Sequence, residues 1–432
     1  MQSSTRRPAA ILASVLAIGI WSGPAAAQFQ QYTPPGDLRD AATNLREGIE
    51  KDVQDARWHL GPLRVQPEIS LRNLAYIDDV FVGSEGEDVS DVTASIAAGL
   101  HLYIPMGPKT TLAAYVLPEY VWWQDQEDRR RLNESYGLGI FAYFNRLLVE
   151  LSGRSDERLG FATSEIEQQV TDRTDAVSAN FELILRRNLA FFVSASSTEL
   201  TYLVDDAELE DPRIARFDRL DREEEVLRGG LRARFRGGWT VDLAFERSEA
   251  IFDNAGNDLS NSGTAPVLGL RLERGPWGIF ADAAFRSLEA EEGSGFIDFD
   301  ETTGRAEISL KARSRLTLRA TASRKLTYSI SEGFTYALED RAGAGVEWAL
   351  GRRSSLLLAA ETGEVDYTVG AAVTPRQDDY SGWRALLKLG LGRKAEIRLG
   401  VTDTEYDSNL PGFDRTVTRI SSGISIGESS WP

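Results

Sequence analysis

Cysteine is absent from the chain. That excludes a disulfide framework, a thiolate metal site and a cysteine nucleophile. Histidine is nearly absent, with only His59 and His101. Basic residues are outnumbered: 48 Lys and Arg stand against 66 Asp and Glu, for a net charge of −18. So acidic a chain repels nucleic acid, and no nucleic-acid partner is expected. Long apolar runs are missing as well. Past roughly the first thirty residues nothing approaches the length of a membrane-spanning helix, and mean hydropathy is −0.28. A helical membrane protein is excluded. A membrane β-barrel is not, because alternation of apolar and polar residues cancels in any average.

Alternation is what the chain has. Leu227, Gly229, Leu231, Ala233 and Phe235 interleave with Arg228, Gly230, Arg232, Arg234 and Arg236. Gly237 and Gly238 turn the chain, and Trp239, Val241, Leu243 and Phe245 then interleave with Thr240, Asp242, Ala244 and Glu246. A period of two places one set on each face of a strand. A soluble sandwich would bury the apolar face in a core. A membrane barrel would turn it to lipid and keep the charged face for the lumen. One hairpin cannot choose between these, but its repetition can.

From Leu63 the pattern recurs over 63–71, 92–102, 112–122, 136–144, 147–154, 177–185 and 189–197. After the hairpin it continues over 265–272, 279–285, 306–312, 316–325, 342–350, 356–362, 383–391, 395–401 and 417–426. The total is about eighteen strands, an even number as bacterial membrane barrels require. Tight turns fall near Gly107, Asn145, Arg187, Gly237, Pro276, Ser314, Arg352 and Arg393, each beside Lys or Arg. The connections between them are mostly longer and acidic, such as Asp78 to Asp91 and Asp205 to Asp221. Short turns at one end and long loops at the other are the asymmetry of outer-membrane barrels, with the short turns in the periplasm. Trp122, Trp123, Tyr143, Phe144, Phe235, Trp239, Trp277, Trp348 and Trp383 lie near strand ends, where amphipathic rings would form the two interfacial girdles. The expected fold is all-β: a transmembrane antiparallel barrel over 63–432 with a short N-terminal amphipathic helix.

Ahead of the barrel, Arg6 and Arg7 precede an apolar stretch from Ala9 to Trp21 and the small-residue run Ala25-Ala26-Ala27. This reads as a secretory signal over 1–27, cleaved before Gln28. Residues 28–62 read as a periplasmic linker and helix. Leu38, Ala42, Leu45, Ile49 and Val53 recur at helical spacing, so one amphipathic helix is expected from Gly36 to about Leu60. It could be a periplasmic extension, a plug in the pore, a docking helix or a solvated leader.

The segment Gln66-Pro67-Glu68-Ile69-Ser70-Leu71, leading to Tyr76-Ile77-Asp78-Asp79-Val80-Phe81, resembles the first strand of the outer-membrane β-barrel porin family of bacterial genomes. That family's strand commonly ends in Tyr-Asp-Asp-Asn-Val-Phe; here Ile77 is interposed and the Asn is missing before Val80. The resemblance implies an integral protein of the bacterial outer membrane. It further implies association with exopolysaccharide export, and so a periplasmic polysaccharide-export component as partner, beside outer-membrane lipid and lipopolysaccharide.

If the apolar face meets lipid, the opposite parity names the pore lining. Its basic members are Arg228, Arg232, Arg234, Arg271, Arg286, Arg305, Lys311, Arg319, Arg384, Lys388 and Arg398; the acidic members include Asp242, Glu246 and Glu307. Opposite charges fall on neighbouring strands: Glu182 with Arg228, Arg234 with Asp242, Glu396 with Arg384. Such rows set the field of an aqueous pore, and equally they brace a wall by cross-strand pairing. The excess of arginine inside suits anionic or sugar-like solutes. Arg228, Arg232 and Arg234 together replaced by Gln would then shift selectivity toward cations and leave the wall standing. An enzyme is the rival class. His59 precedes the barrel, and His101 has no Ser or acid partner assignable from spacing, so no catalytic residue is named. The acidic run Asp205 to Asp211 lacks the glycine of a calcium loop; no metal or cofactor is expected. A structural barrel with a plugged lumen is the third class.

Overall fold

Period-two alternation becomes a hydrogen-bonded wall. The computed structural model describes residues 45–77, 90–161, 163, 165, 169–204, 215–253, 258–331, 333–369, 374–391 and 395–427. The signal segment, the first half of the expected helix, the loops 78–89 and 205–214, the turn at Arg393 and the last residues 428–432 lie outside them. In chain order the elements are α1 (Leu45–Asp55), β1 (Trp58–Leu60), β2 (Leu63–Ile77), β3 (Asp91–Pro105), β4 (Thr110–Val116), β5 (Glu119–Trp123), β6 (Arg131–Asn133), β7 (Ser135–Tyr143), β8 (Leu147–Phe161), β9 (Gln169–Arg186), β10 (Leu189–Tyr202), β11 (Arg222–Arg234), β12 (Trp239–Phe252), β13 (Asn261–Arg274), β14 (Trp277–Ala290), β15 (Phe299–Arg313), β16 (Leu316–Tyr328), β17 (Phe334–Ala349), β18 (Ser354–Val369), β19 (Gln377–Leu391), β20 (Ala395–Ser408) and β21 (Arg415–Ile426).

Each strand from β7 on pairs antiparallel with the next. β4 and β5 both pair with β3, so they are one wall strand interrupted at Leu117-Pro118, where proline has no N–H for the ladder. β6 and β7 make the next wall strand in the same way. β2 pairs with β3 on one side and β21 on the other. The sheet therefore closes on itself as an eighteen-strand antiparallel barrel. Every strand read from the sequence falls on a wall strand, with 136–144 and 342–350 each running one residue past its end.

The turn lengths follow the sequence reading. Connections at one end are short, at 106–109, 144–146, 187–188, 235–238, 275–276, 314–315 and 350–353. At the other end lie the longer connections, several with structure of their own, such as the 3-10 turn Ala215–Leu220. Gly237 and Gly238 have φ of 98° and 90°, a region that side chains with a Cβ avoid. The turn closes where the Phe235 N–H donates to the Trp239 carbonyl at 2.7 Å.

The helix departs from expectation. α1 ends at Asp55, and Trp58–Leu60 is a strand running antiparallel to β2, with His59 opposite Arg64. The helical spacing of apolar residues ends at Val53. Beyond it Trp58 and Leu60 flank His59 with period two, and Gly61, at φ 64°, turns the chain back.

Candidate functional site: the inner face of the barrel

The two faces of the wall differ as alternation demands. Leu227, Leu231, Leu243 and Phe245 are 53, 46, 59 and 57% exposed. Apolar side chains left this open over a whole belt belong in lipid, and a closed barrel satisfies every backbone group there. Between them point Arg228, Arg232, Asp242 and Glu246, all buried or nearly so. By register, Arg234, Arg271, Arg286, Arg305, Glu307, Lys311, Arg319, Arg384, Lys388 and Arg398 lie on this same inner face.

The structure re-sorts the expected ion pairs. The Arg232 guanidinium forks onto Asp242, donating at 2.9 and 3.1 Å, and also donates to Glu182. Arg234 donates to Glu182 at 2.6 Å, and so not to Asp242. Arg228 faces Glu246 and Asp282 at 3.9 and 3.7 Å, and so not Glu182. Glu396 is bonded by Arg398 of its own strand at 2.6 Å in place of Arg384. Register is the reason: Arg232 stands directly opposite Asp242 and Arg228 directly opposite Glu246. Arg286 completes the row, donating to Glu246 at 2.6 Å and to the Thr303 hydroxyl at 2.8 Å. Aromatic rings back two of these cations, Phe192 under Arg232 at 4.9 Å and Phe280 under Arg305 at 4.9 Å.

Arg228 is held more loosely than Arg232, Arg234 and Arg286. No hydrogen-bond partner meets its Nε or Nη2.

At the long-loop end the interior is crossed by an apolar cluster that alternation alone could not show. Trp123, Tyr202, Phe252, Phe299, Tyr328 and Tyr336 come from six wall strands, and Phe217, Leu220, Leu259, Phe296 and Ile330 from the connections. These strands, β5 through β17, span more than half the wall, so one cluster containing them bridges the inside. The Glu165 carboxylate ties the connection after β8 to the one after β16. It accepts the Ser329 hydroxyl at 2.7 Å and the Ile330 N–H at 2.6 Å. Burial raises its pKa above the ordinary range, against the pull of Arg376.

Asp221, next to the 3-10 turn, accepts the Tyr202 N–H at 2.7 Å. Burial, with Asp218 and Asp253 nearby, pushes its carboxyl up to about 6 despite that bond and Arg222. A folded-state value above the ordinary one means that protonation favours the packed arrangement. The gain is complete below the ordinary aspartate range and lost as pH rises through about 6. Heat resistance of this packing should therefore rise as pH is lowered through this window, and Asp221→Asn should flatten the profile. A thermal midpoint indifferent to pH in this window would remove Asp221 from the packing.

The short-turn end holds a second cluster. Ile49 of α1 is 1% exposed among Tyr103, Tyr115, Phe141 and Tyr143, inner-face residues of β3, β4 and β7, with Leu45 and Val53 beside it. Burying Ile49 contributes about 1.5–3 kcal/mol. Tyr103 donates to Asp52 at 3.3 Å, and the Arg46 guanidinium lies 5.1 Å over Tyr143.

Tyr143 and Trp123 thus belong to the interior, not to a girdle: their positions have inner parity. Phe144, Phe235, Trp277 and Trp348 are exposed beside the short turns, as an interfacial row would be. His101 does have an acid partner. Its Nε2 lies 3.0 Å from Glu68, one strand away, and its ring stacks near Tyr115. It is fully buried, so no substrate reaches it. Among the described residues no cluster of three or more metal-ligating His, Cys, Asp or Glu side chains is found.

No protein-family model and no curated protein matches the chain. Solved structures do match its shape. A BenF-like porin from Pseudomonas fluorescens Pf-5 superposes with a TM-score of 0.52 and 11% identity, over 84% of this chain and 99% of that one. Pseudomonas aeruginosa OccK9 (OpdG) gives a TM-score of 0.52 and 11% identity, over 87% and 99%. The fold is that of outer-membrane porins. With its apolar belt, this makes the protein an integral outer-membrane β-barrel.

Proposed function

We propose that this protein is an outer-membrane channel for small polar solutes, with anions preferred. The observation that carries this is the closed eighteen-strand wall whose inner face is charged while its outer face is apolar. A barrel of this size encloses room for an aqueous path between its internal clusters. Anion preference is assigned to Arg228: the neighbouring arginines are hydrogen-bonded to Asp242, Glu182 and Glu246, whereas Arg228 meets its carboxylates only at 3.7 and 3.9 Å and acts through its charge, its Nε and Nη2 being buried. Lipid and lipopolysaccharide are the surroundings proposed for its outer belt.

Arg228→Gln is the clean test. Glu246 stays bonded by Arg286 at 2.6 Å, so the wall survives. In planar bilayers under a salt gradient, the anion-to-cation permeability ratio should drop by about two-fold, because a fixed positive charge has left the path. Unchanged reversal potential would take Arg228 out of the conduction path.

The cluster at the long-loop end favours a second reading, a barrel that does not conduct. Absence of any conductance step from folded, heat-modifiable protein would establish that reading over the first. Export of exopolysaccharide, implied by the sequence resemblance, is the finer alternative. Passage of an acidic oligosaccharide through reconstituted protein would favour it, and passage of monosaccharide acids alone would count against it.

A further inference from the structure

We propose that α1 is a built-in strap, seated against the inner wall at the short-turn end, that narrows the lumen and can leave its seat without disturbing the barrel. This rests on the channel reading.

The seat is made of side chains only. Ile49 enters the tyrosine cluster, Tyr103 donates to Asp52, and Arg46 covers Tyr143. Glu50, Lys51 and Gln54, on the helix surface away from the seat, are exposed. The wall strands in contact are complete without the helix, since β3, β4 and β7 bond one another through their own backbones. The helix leads into a stapled strand. β1 pairs with β2 at three positions, and the His59 ring meets the Ala56 carbonyl at 3.1 Å. Ala56 is buried and the Arg57 N–H donates to the Gln66 side chain at 3.2 Å, so these two residues belong to the fixed point, and a swing of the helix pivots on the N-terminal side of Ala56. A helix with side chains is about 10–12 Å across, a large share of a barrel interior.

The absence of cysteine gives the test. Single cysteines at Ile49→Cys and Lys51→Cys are labelled by a water-soluble maleimide in folded, reconstituted protein. Seated helix predicts labelling at 49 about ten-fold slower than at 51, and equal rates overturn the seat. Conductance is then compared between wild type and Ile49→Asn/Val53→Asn, which leaves every charge in place. A rise in unit conductance or open time of about two-fold supports the strap. Equal conduction by both overturns the strap and leaves the channel reading standing. Silence in both, with 49 protected, overturns the channel reading and the strap with it. Retained heat-modifiable migration verifies folding, and Δ45–55 gives the same readout with no strap at all.

Discussion

Arg232→Gln should cost the barrel about 3–5 kcal/mol, the penalty for removing one member of a buried ionic network. The side chain is 8% exposed, and its partner Asp242 is fully buried. With the guanidinium gone, Asp242 loses both donors of the fork, and Glu182 keeps only Arg234. Two carboxylates would then stand close together in a place water barely reaches. The loss should appear as a lower urea midpoint and as unfolded protein on gels run without boiling. Removing the orphaned charges as well, in Arg232→Gln/Asp242→Asn/Glu182→Gln, should restore most of the stability. If the single variant unfolds within about 0.5 kcal/mol of wild type, as ordinary surface changes do, the network does not brace the wall. The buried fork of Arg232 on Asp242 counts against the expectation that Arg228, Arg232 and Arg234 could all become Gln with the wall intact; the single variants Arg228→Gln and Arg232→Gln separate the two cases.

Tyr328→Ala should open the long-loop end. Tyr328 meets Phe252 edge-on at 4.6 Å and Phe296 at 6.3 Å, accepts from Asn261 at 2.7 Å, and carries the Arg222 guanidinium 5.1 Å over its ring. It thus joins β16 to β11, β12, β13 and the connection after β14. Truncating so large a buried side chain typically costs about 3–5 kcal/mol. Here the cost falls on a cluster of loops and strand ends, because the ladder of β16 with β15 and β17 is untouched. Conductance should rise while heat-modifiable migration persists. A folded variant with wild-type conductance would show that the path runs beside this cluster.

Much of this molecule was legible in the residues. Alternation is a local signal, and so is turn chemistry. Together they located all the wall strands, their two unlike ends and the outward face, because a one-residue slip would turn Leu243 and Phe245 inward and Asp242 into lipid. The shared inner face of Arg228, Arg232, Arg234 and Asp242 follows from the same parity. Where strand-end position was read without parity it misled: Trp123 and Tyr143 are aromatic and near strand ends, but they point inside. Likewise His101 gained Glu68 only through the register of β2 on β3.

The tertiary structure decided three things that no local pattern carries. It chose the partners of the charges, since Glu182 and Arg232 lie two strands apart and meet only because Gly230 and Phe192 set the rows between them. It folded the long connections inward, through contacts such as Glu165 with Ser329 that depend on closure of the barrel. And it placed α1 within the wall, although its amphipathic spacing fits an outside helix equally well. Alternation and turns fix which face a residue belongs to; only closure brings distant faces together, because the contacts that do so are made across the lumen and not along the chain.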